Sequence, residues 1–436
     1  MNFSEAYNFI ISLNNLSKND YLQGKDNPKL YLKRLQCLLD IMGNPEKKIK
    51  HYIHITGTSG KGSVATFVSS ILRASGKKVG LLTSPHPSII TERWEVGGQE
   101  MEKYEFVENT IFLKTALKKY LQKYVNSPWG LPSFFEIITA MGLCYFAQKK
   151  VDFAVLEVGC GGRYDSTNII PKKDIAIITN IGLDHTDILG TSKAKIAREK
   201  SGIIKRGCRV LTMERDPKIN AILAKEARAQ KARLIEFNSK YTLIKTDTQG
   251  SIFKYQNQTY TLSVLGKHQI ENSILAIQAA KLLKIKNSAI KKGLAQTKMP
   301  IRMEVVSRKP LIILDGAHNP DKIRAAIKTI SDLKLKNINL LVGFSGNKNI
   351  KKMISQLAGL KPKIIACTRY TINPLRKVAD PKDLADRFKK LLPKTDIKIF
   401  IDPKDAFLET KARLKANDML LVTGSMFLAG ELRTQN

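Results

Sequence analysis

Three glycines surround one amine in the run His54-Ile55-Thr56-Gly57-Thr58-Ser59-Gly60-Lys61-Gly62-Ser63. Glycine lets backbone N–H groups wrap closely around a polyphosphate, and a lysine here can reach its terminal phosphates. A helix beginning just after the loop adds the positive end of its dipole. The spacing departs from the strict GxxxxGK[ST] form, because Gly62 separates Lys61 from Ser63. A glycine-rich turn with a solvated lysine is the plainer alternative. An apolar run before the loop and an amphipathic stretch after it favour a nucleotide site.

Three more loops carry chemistry-bearing residues: Thr83-Ser84-Pro85-His86, Glu157-Val158-Gly159-Cys160-Gly161-Gly162-Arg163 and Thr179-Asn180-Ile181-Gly182-Leu183-Asp184-His185. Each follows a short apolar run that reads as a strand. The carboxyl ends of parallel strands gather on one edge of a sheet, where ligands bind in open α/β folds. Ser84, Glu157 and His185 can therefore converge on a Mg²⁺ that bridges ATP oxygens. Magnesium favours oxygen, so His185 is an unusual partner and alone would read as an ordinary loop histidine. Four loops in register change that reading. Lys200, in Ala197-Arg198-Glu199-Lys200-Ser201-Gly202, reads only as a helix-end lysine. No Ser/His/Asp nucleophile has a distinctive signature.

Positioning these loops requires strands alternating with helices. Tyr52–Thr56, Val79–Thr83, Phe153–Val158, Ile175–Thr179 and Arg209–Met213 read as strands, with helical patterns over Val64–Ala74 and Glu136–Gln148. The pattern predicts a doubly wound, mostly parallel α/β sheet. Tyr241–Val264 alternates apolar and polar residues around Gly250 and Asn257, and predicts antiparallel hairpins at a sheet edge. A helix follows over about 269–283. A second, smaller Rossmann-like α/β series has strands at Leu311–Asp315, Asn339–Phe344, Lys363–Thr368, Lys398–Ile401 and Met419–Gly424. The expected boundary lies near Gln296–Pro300, giving domains of 1–298 and 299–436. Residues 15–50 read as a helical segment ahead of the first sheet.

The 436 residues agree with two or three domains, at roughly 100–200 residues each. Hydrophobic residues are 43% and charged residues 25%, ordinary globular values that exclude a collagen-like or largely disordered chain. No apolar run reaches the length of a membrane span. The start, Met1-Asn2-Phe3-Ser4-Glu5, lacks a basic region leading into an apolar one, which points to the cytoplasm. Cys37, Cys144, Cys160, Cys208 and Cys367 are odd in number and scattered, which excludes a disulfide framework. Lys and Arg total 73 against 38 Asp and Glu, a net +35 that attracts anions. The basic residues are spread thinly and carry no readout motif, so any nucleic-acid binding is expected to be non-specific.

The ordered set HITGTSGKGS, TSPH, LPSFFE, EVGCGGRYDSTN, TNIGLDHTDILG, REKSGIIK, GKHQIENS and LDGAHNP resembles folylpolyglutamate synthase and dihydrofolate synthase, members of the Mur-ligase superfamily of ATP-dependent amide ligases. The resemblance runs over roughly residues 25–430. It implies that Thr58, Ser59, Gly60 and Lys61 cradle ATP phosphates and that Ser84, Glu157 and His185 hold Mg²⁺. Lys200 matches the family lysine that is carbamylated, which would turn a cation into an oxygen ligand for a second metal. Ser133, Phe134, Phe135 and Glu136, with Tyr164, Asp165 and Ser166, match segments that hold the pterin–benzoate substrate. Core packing remains an open alternative for the two phenylalanines, and Leu30-Tyr31-Leu32 is a looser match. Asn272 and Arg302 match ATP contacts. Asp315 and His318 match residues facing the nucleotide, and Thr423-Gly424-Ser425 a further loop.

Four departures stand out: Pro300-Ile301-Arg302 where the family usually has Pro-Gly-Arg, Asn347-Lys348-Asn349 where it often has Asp-Lys-Asp, Ser59 where Asn is commoner, and Tyr31 where Gly is usual. Loss of a glycine at 301 removes easy access to positive φ, so that turn is expected to differ. The reaction implied is phosphorylation of a carboxylate by ATP, with attack of the L-glutamate amine on the acyl phosphate. Lys61, Mg²⁺ and Arg302 would stabilise the spreading charge, with Lys200 and His318 as further catalytic candidates. The acceptor is dihydropteroate, a folate (poly)glutamate, or both, and the resemblance implies a monomer. A Mur ligase acting on a UDP-linked muramyl precursor is the alternative, against which stand the folate-type motifs and the short segment before the phosphate loop.

Overall fold

The computed structural model describes residues 1–13, 29–346, 349–373 and 377–433. It gathers the chain into two compact units. One comprises Met1–Lys240 with Glu271–Leu294, the other Tyr241–Ile270 with Ala295–Asn436. The second unit thus includes the segment 241–270, which the expected boundary placed in the first domain.

The first unit is built on an eight-stranded sheet. Its strands are His51–Thr56 (β1), Val79–Leu82 (β2), Trp94–Val96 (β3), Gln99–Glu100 (β4), Phe153–Glu157 (β5), Ile175–Ile178 (β6), Arg209–Thr212 (β7) and Arg233–Leu234 (β8), in spatial order β4-β3-β2-β5-β1-β6-β7-β8. β2, β5, β1, β6, β7 and β8 are parallel; β3 and β4 add an antiparallel edge. Tyr52 through Thr56 are all buried, as continuous apolar character in a parallel strand requires. β1 lies between β5 and β6, so the chain leaves it in both directions. The carboxyl ends of β1, β2, β5 and β6 are therefore neighbours, and all four loops singled out above begin there.

Two helices on this sheet are joined by a buried ion pair. Arg34, on Lys29–Ile41, gives its Nε hydrogen to Glu136 Oε2 at 2.8 Å, and Glu136 lies in the first turn of Phe134–Gln148. Ser133 and Glu136 also cap that helix reciprocally. Of the segment expected to be helical over 15–50, residues 14–28 lie outside the described residues. Lys29–Ile41 and Pro45–Lys48 are helices.

The hairpins expected at the edge of this sheet are instead a separate three-stranded meander: Thr242–Asp247 (β9), Gly250–Tyr255 (β10) and Gln258–Leu262 (β11). Alternation shows that one face is buried but not which neighbour buries it. Phe253, Tyr255, Tyr260 and Leu262 supply that face.

The second unit holds a six-stranded sheet of Glu304–Arg308 (β12), Leu311–Leu314 (β13), Ile338–Val342 (β14), Ile364–Cys367 (β15), Asp396–Ile399 (β16) and Met419–Thr423 (β17), in order β12-β13-β17-β14-β15-β16. β12 is antiparallel and the others parallel. Alternate residues serve two cores. Ile313, Leu340, Val342, Ile365 and Leu421 face one, while Ile312, Leu314, Leu341, Ala366 and Leu420 face the other. All five cysteines are free and buried, and among the described residues no helix is long and apolar enough to cross a membrane.

Candidate active site

The phosphate loop depends on two close backbone approaches. Gly57 has φ +149°, and a Cβ there would stand 1.8 Å from Thr179 Oγ1. Gly60 has φ +83°, and a Cβ there would stand 2.4 Å from Asn272 Oδ1, on helix Lys267–Leu282. Only glycine fits either position. The loop after β6 is stitched to the same turn. Asn180 accepts from Thr58 N through its carbonyl at 2.9 Å and from Ser59 N through Oδ1 at 2.9 Å. Thr179 Oγ1 donates to Ser59 O at 2.6 Å, and Thr58 Oγ1 bonds both backbone groups of Gly182. The N–H groups of Thr58 and Ser59, expected in the cradle, are thus already engaged. Helix Lys61–Ala74 makes its first internal bond from Val64 N to Gly60 O, which leaves the N–H groups of Lys61, Gly62 and Ser63 without an intrahelical partner. The amides left open at this helix start are therefore those of residues 61–63.

Two amines meet at one carbonyl. Lys61 Nζ lies 3.1 Å and Lys200 Nζ 2.9 Å from Gly57 O. Lys200 is buried, and burial, then the field of Lys61, pulls its pKa down to about 7. Lys200 was unreadable as a site residue from local sequence; helix Lys193–Ser201 carries it under the phosphate loop.

Glu157, at the end of β5, is buried beside the same helix start. Its Oε2 accepts from Ser84 N at 3.0 Å, and a Cβ on Gly62 would stand 3.2 Å from that oxygen. Ser84 and Glu157 are therefore adjacent, as expected. His185 has φ +48° and is partly exposed, with Nε2 3.9 Å from Asp184 Oδ2; burial lowers its pKa, with Asp184 opposing. Among the described residues no three His, Cys, Asp or Glu side chains form a metal cage. One buried carboxylate beside a hydroxyl and a phosphate loop nevertheless fits Mg²⁺, which keeps waters and takes substrate phosphates rather than an all-protein cage.

The segments matched to the pterin–benzoate substrate surround Phe134 and Phe135. The Phe135 ring lies against Gly159, where a Cβ would come within 2.6 Å of it. The Phe134 ring lies under the Arg93 guanidinium, 5.8 Å from its centroid. Asp165 is buried with both oxygens engaged: Oδ2 accepts from Gly159 N and Cys160 N, and Oδ1 from Thr167 N and its hydroxyl. Burial raises its pKa against those bonds. Ser166 Oγ bonds Thr139 Oγ1 at 2.6 Å, and Tyr164 is half-buried. Ser133 and Oε2 of Glu136 serve the helix cap and Arg34. Tyr31 is buried, with Arg34 stacked over its ring at 5.2 Å. Arg93 Nε donates to His86 Nδ1 at 2.9 Å beside the Phe134 ring; neither residue was assigned a role from sequence, since no spacing signal separates them from ordinary polar loop residues.

In the second unit, Ile301 adopts φ +51° and Met303 φ +51°, so the turn takes its left-handed geometry without the glycine. Asp315 braces it, accepting from Met303 N at 3.0 Å and Ala317 N at 2.9 Å. Burial raises the Asp315 pKa against these bonds and the field of Arg302. His318 Nδ1 bonds Gly316 O at 2.8 Å, so Nε2 accepts from Lys322 Nζ at 3.2 Å. Asn349 caps helix Ile350–Ala358; Asn347 and Lys348 lie outside the described residues.

The chain is similar to known ligases. Residues 55–280 match the Mur ligase middle domain and residues 301–426 the Mur ligase glutamate ligase domain. Folylpolyglutamate synthase of Lacticaseibacillus casei is 32% identical, over 99% of this chain and 98% of its own. Dihydrofolate synthase/folylpolyglutamate synthase of Bacillus subtilis is 31% identical, over 92% and 94%. The structure of E. coli FolC in complex with DHPP and ADP superposes with a TM-score of 0.80 at 27% identity, covering 99% of this chain and 97% of that one. The chain belongs to the folylpolyglutamate synthase/dihydrofolate synthase family of the Mur ligases, enzymes that use ATP to join glutamate through an amide bond.

Proposed function

We propose that the chain adds L-glutamate to dihydropteroate, to folate (poly)glutamates, or to both, through an acyl phosphate. The observation that carries this reading is the convergence of Lys61 and Lys200 on Gly57 O beside buried Glu157, at an open helix N-terminus. Two amines on one carbonyl repel each other unless an anion or a neutral amine intervenes. A polyphosphate at the helix start supplies the anion.

A carboxylate resists displacement by an amine at neutral pH. Its oxygen would attack the γ-phosphorus of ATP; the bond to ADP breaks and an acyl phosphate forms. Lys61 and the N–H groups of residues 61–63 would hold the phosphate oxygens as charge spreads. The glutamate amine then attacks the acyl carbon, phosphate leaves, and the amine gives up its proton. Bound Mg²⁺, held by Ser84, Glu157 and His185, would neutralise phosphate charge. Lys200, buried and without a carboxylate partner among the described residues, is proposed to carry a carbamate, which would offer oxygen to a second ion. Asn272, seated against Gly60, would line the nucleotide. Arg302, Asp315 and His318 are proposed nucleotide contacts of the second unit, on the strength of family membership. Domains 1–298 and 299–436 remain the proposed division by sequence. The proposed working unit is a monomer, as the family resemblance implies, and the proposed compartment is the cytoplasm.

The test is ATP- and Mg²⁺-dependent phosphate release with L-glutamate, comparing dihydropteroate, tetrahydrofolate and a UDP-muramyl substrate. Release with dihydropteroate shows first-glutamate addition, and release with tetrahydrofolate shows tail extension. Silence with both pterins and release with the muramyl substrate and its cognate amino acid would sink the folate reading.

A further inference from the structure

A buried guanidinium stands at this site without a carboxylate. Arg93 ends the short 3₁₀ turn Ile90–Arg93, and its carbonyl accepts from Thr83 N at 3.1 Å, tying it to the loop that carries Ser84. Its residue is 6% exposed. Nε donates to His86 Nδ1 at 2.9 Å, which places the ring proton of His86 on Nε2. The guanidinium carbon sits over the Phe134 ring. Nη1 is buried and has no hydrogen-bond partner, and no carboxylate among the described residues pairs with the group. Burial pulls the Arg93 pKa down to about 10, with the field of Glu157 acting against it. The bond from Nε fixes the plane of the guanidinium, so His86 orients the cation.

An unpaired buried cation is costly, and an orphaned N–H on it adds to the cost. An anion that arrives with the substrate removes both costs. Its chemistry is constrained from two sides. The planar fork of an arginine matches a carboxylate. The Phe134 ring against the guanidinium favours a flat aromatic body, and the field of Glu157, the carboxylate beside the phosphate loop, reaches the group. We propose that Arg93 binds the reacting carboxylate of the aromatic substrate and aligns it for attack on the γ-phosphate, with His86 orienting the guanidinium. This assignment rests on the folate-ligase reading, in which that group is the benzoate of dihydropteroate. Arg93 stays protonated throughout: it holds the attacking oxygens while the bond to ADP breaks and transfers no proton itself.

The experiment measures binding to the full-length protein without ATP, by pterin fluorescence. Dihydropteroate is compared with its analogue lacking the carboxyl group, in wild type, Arg93→Gln and Arg93→Lys. Arg93→Gln is expected to weaken dihydropteroate about tenfold to a hundredfold while leaving the decarboxylated analogue unchanged. Arg93→Lys keeps the charge and loses the fork, so it should fall between. ADP binding and the thermal midpoint report whether each variant is folded. Equal losses for both ligands would mean that Arg93 only shapes the aromatic pocket, and unchanged affinity for dihydropteroate would also overturn the assignment. Wild-type protein that binds neither pterin would overturn the folate reading, and this assignment with it.

Discussion

Lys200 and Lys61 share one acceptor: their ammonium nitrogens lie 2.9 and 3.1 Å from the carbonyl oxygen of Gly57. One comes from the helix that follows the phosphate loop and the other from a helix more than a hundred residues later. The pair brings two amine side chains to the place where the terminal phosphates of ATP are proposed to sit.

Lys61→Ala and Glu157→Gln should each abolish phosphate release while the thermal midpoint stays within a few degrees of wild type. Lys61→Ala should also weaken ATP binding. Removing Mg²⁺ with EDTA should stop wild-type turnover, and restoring it should recover the rate. Near-normal turnover in either variant would remove these assignments.

Lys200→Ala should lower activity, and added bicarbonate should have no effect on it. In wild type, ¹³C-bicarbonate should give a carbamate carbon resonance that Lys200→Ala lacks. The buried amine explains why: held near neutrality beside Lys61, it has an unprotonated fraction able to attack CO₂. A wild-type spectrum without that resonance at saturating bicarbonate would argue against the carbamate.

Gly60→Ala combines a left-handed φ of +83° with a Cβ 2.4 Å from Asn272 Oδ1. The expected cost is about 1–3 kcal/mol in stability, with loss of ATP affinity as the loop shifts. Gly76→Ala is a control for conformation alone, since its φ is +84° with nothing near the added methyl. It should lose stability but keep ATP affinity, by calorimetric titration.

Ile301 carries a β-branched side chain at φ +51° and is 1% exposed. Truncation should destabilise, but in an unusual order. Ile301→Gly should be about 1–2 kcal/mol more stable than Ile301→Ala, because glycine alone releases the left-handed strain. Urea midpoints of the two variants decide it; the reverse order would mean the turn is not strained.

Arg34 and Glu136 form a buried pair 2.8 Å apart. Arg34→Ala leaves a buried carboxylate without its cation and should cost about 3–5 kcal/mol. The double variant Arg34→Met with Glu136→Leu should cost less than Arg34→Ala alone, since no charge is then stranded. A double-variant loss larger than the single would show that the pair itself is strongly stabilising.

Local pattern was enough for what depends on neighbours along the chain. The apolar run at 52–56, the glycines after it and the amphipathic stretch from 64 place strand, phosphate loop and helix within a few residues of their observed bounds. The strands that lead into the Ser84, Glu157 and Thr179 loops were legible for the same reason, because a buried parallel strand needs continuous apolar side chains. The meander over 242–262 was legible as hairpins, yet its place was not. Alternation specifies a buried face and says nothing of the surface that covers it. Ile301 shows the opposite limit: residue type argued for a changed turn, and bonds from Asp315 to Met303 N and from Glu304 to Ile301 N hold the left-handed backbone instead.

The sequence by itself determined the family, the nucleotide loop and the order of strands and helices, since each is encoded in short spacings and periodicities. Only the tertiary structure decided that Asn180 occupies the amides of Thr58 and Ser59, that Lys200 comes to rest beside Lys61, and that Arg93 lies buried over the Phe134 ring. Those three relations join residues distant in sequence through the register of parallel strands. Their consequences are electrostatic, and burial and the spacing of charges exist only once the sheet has brought the loops to one edge.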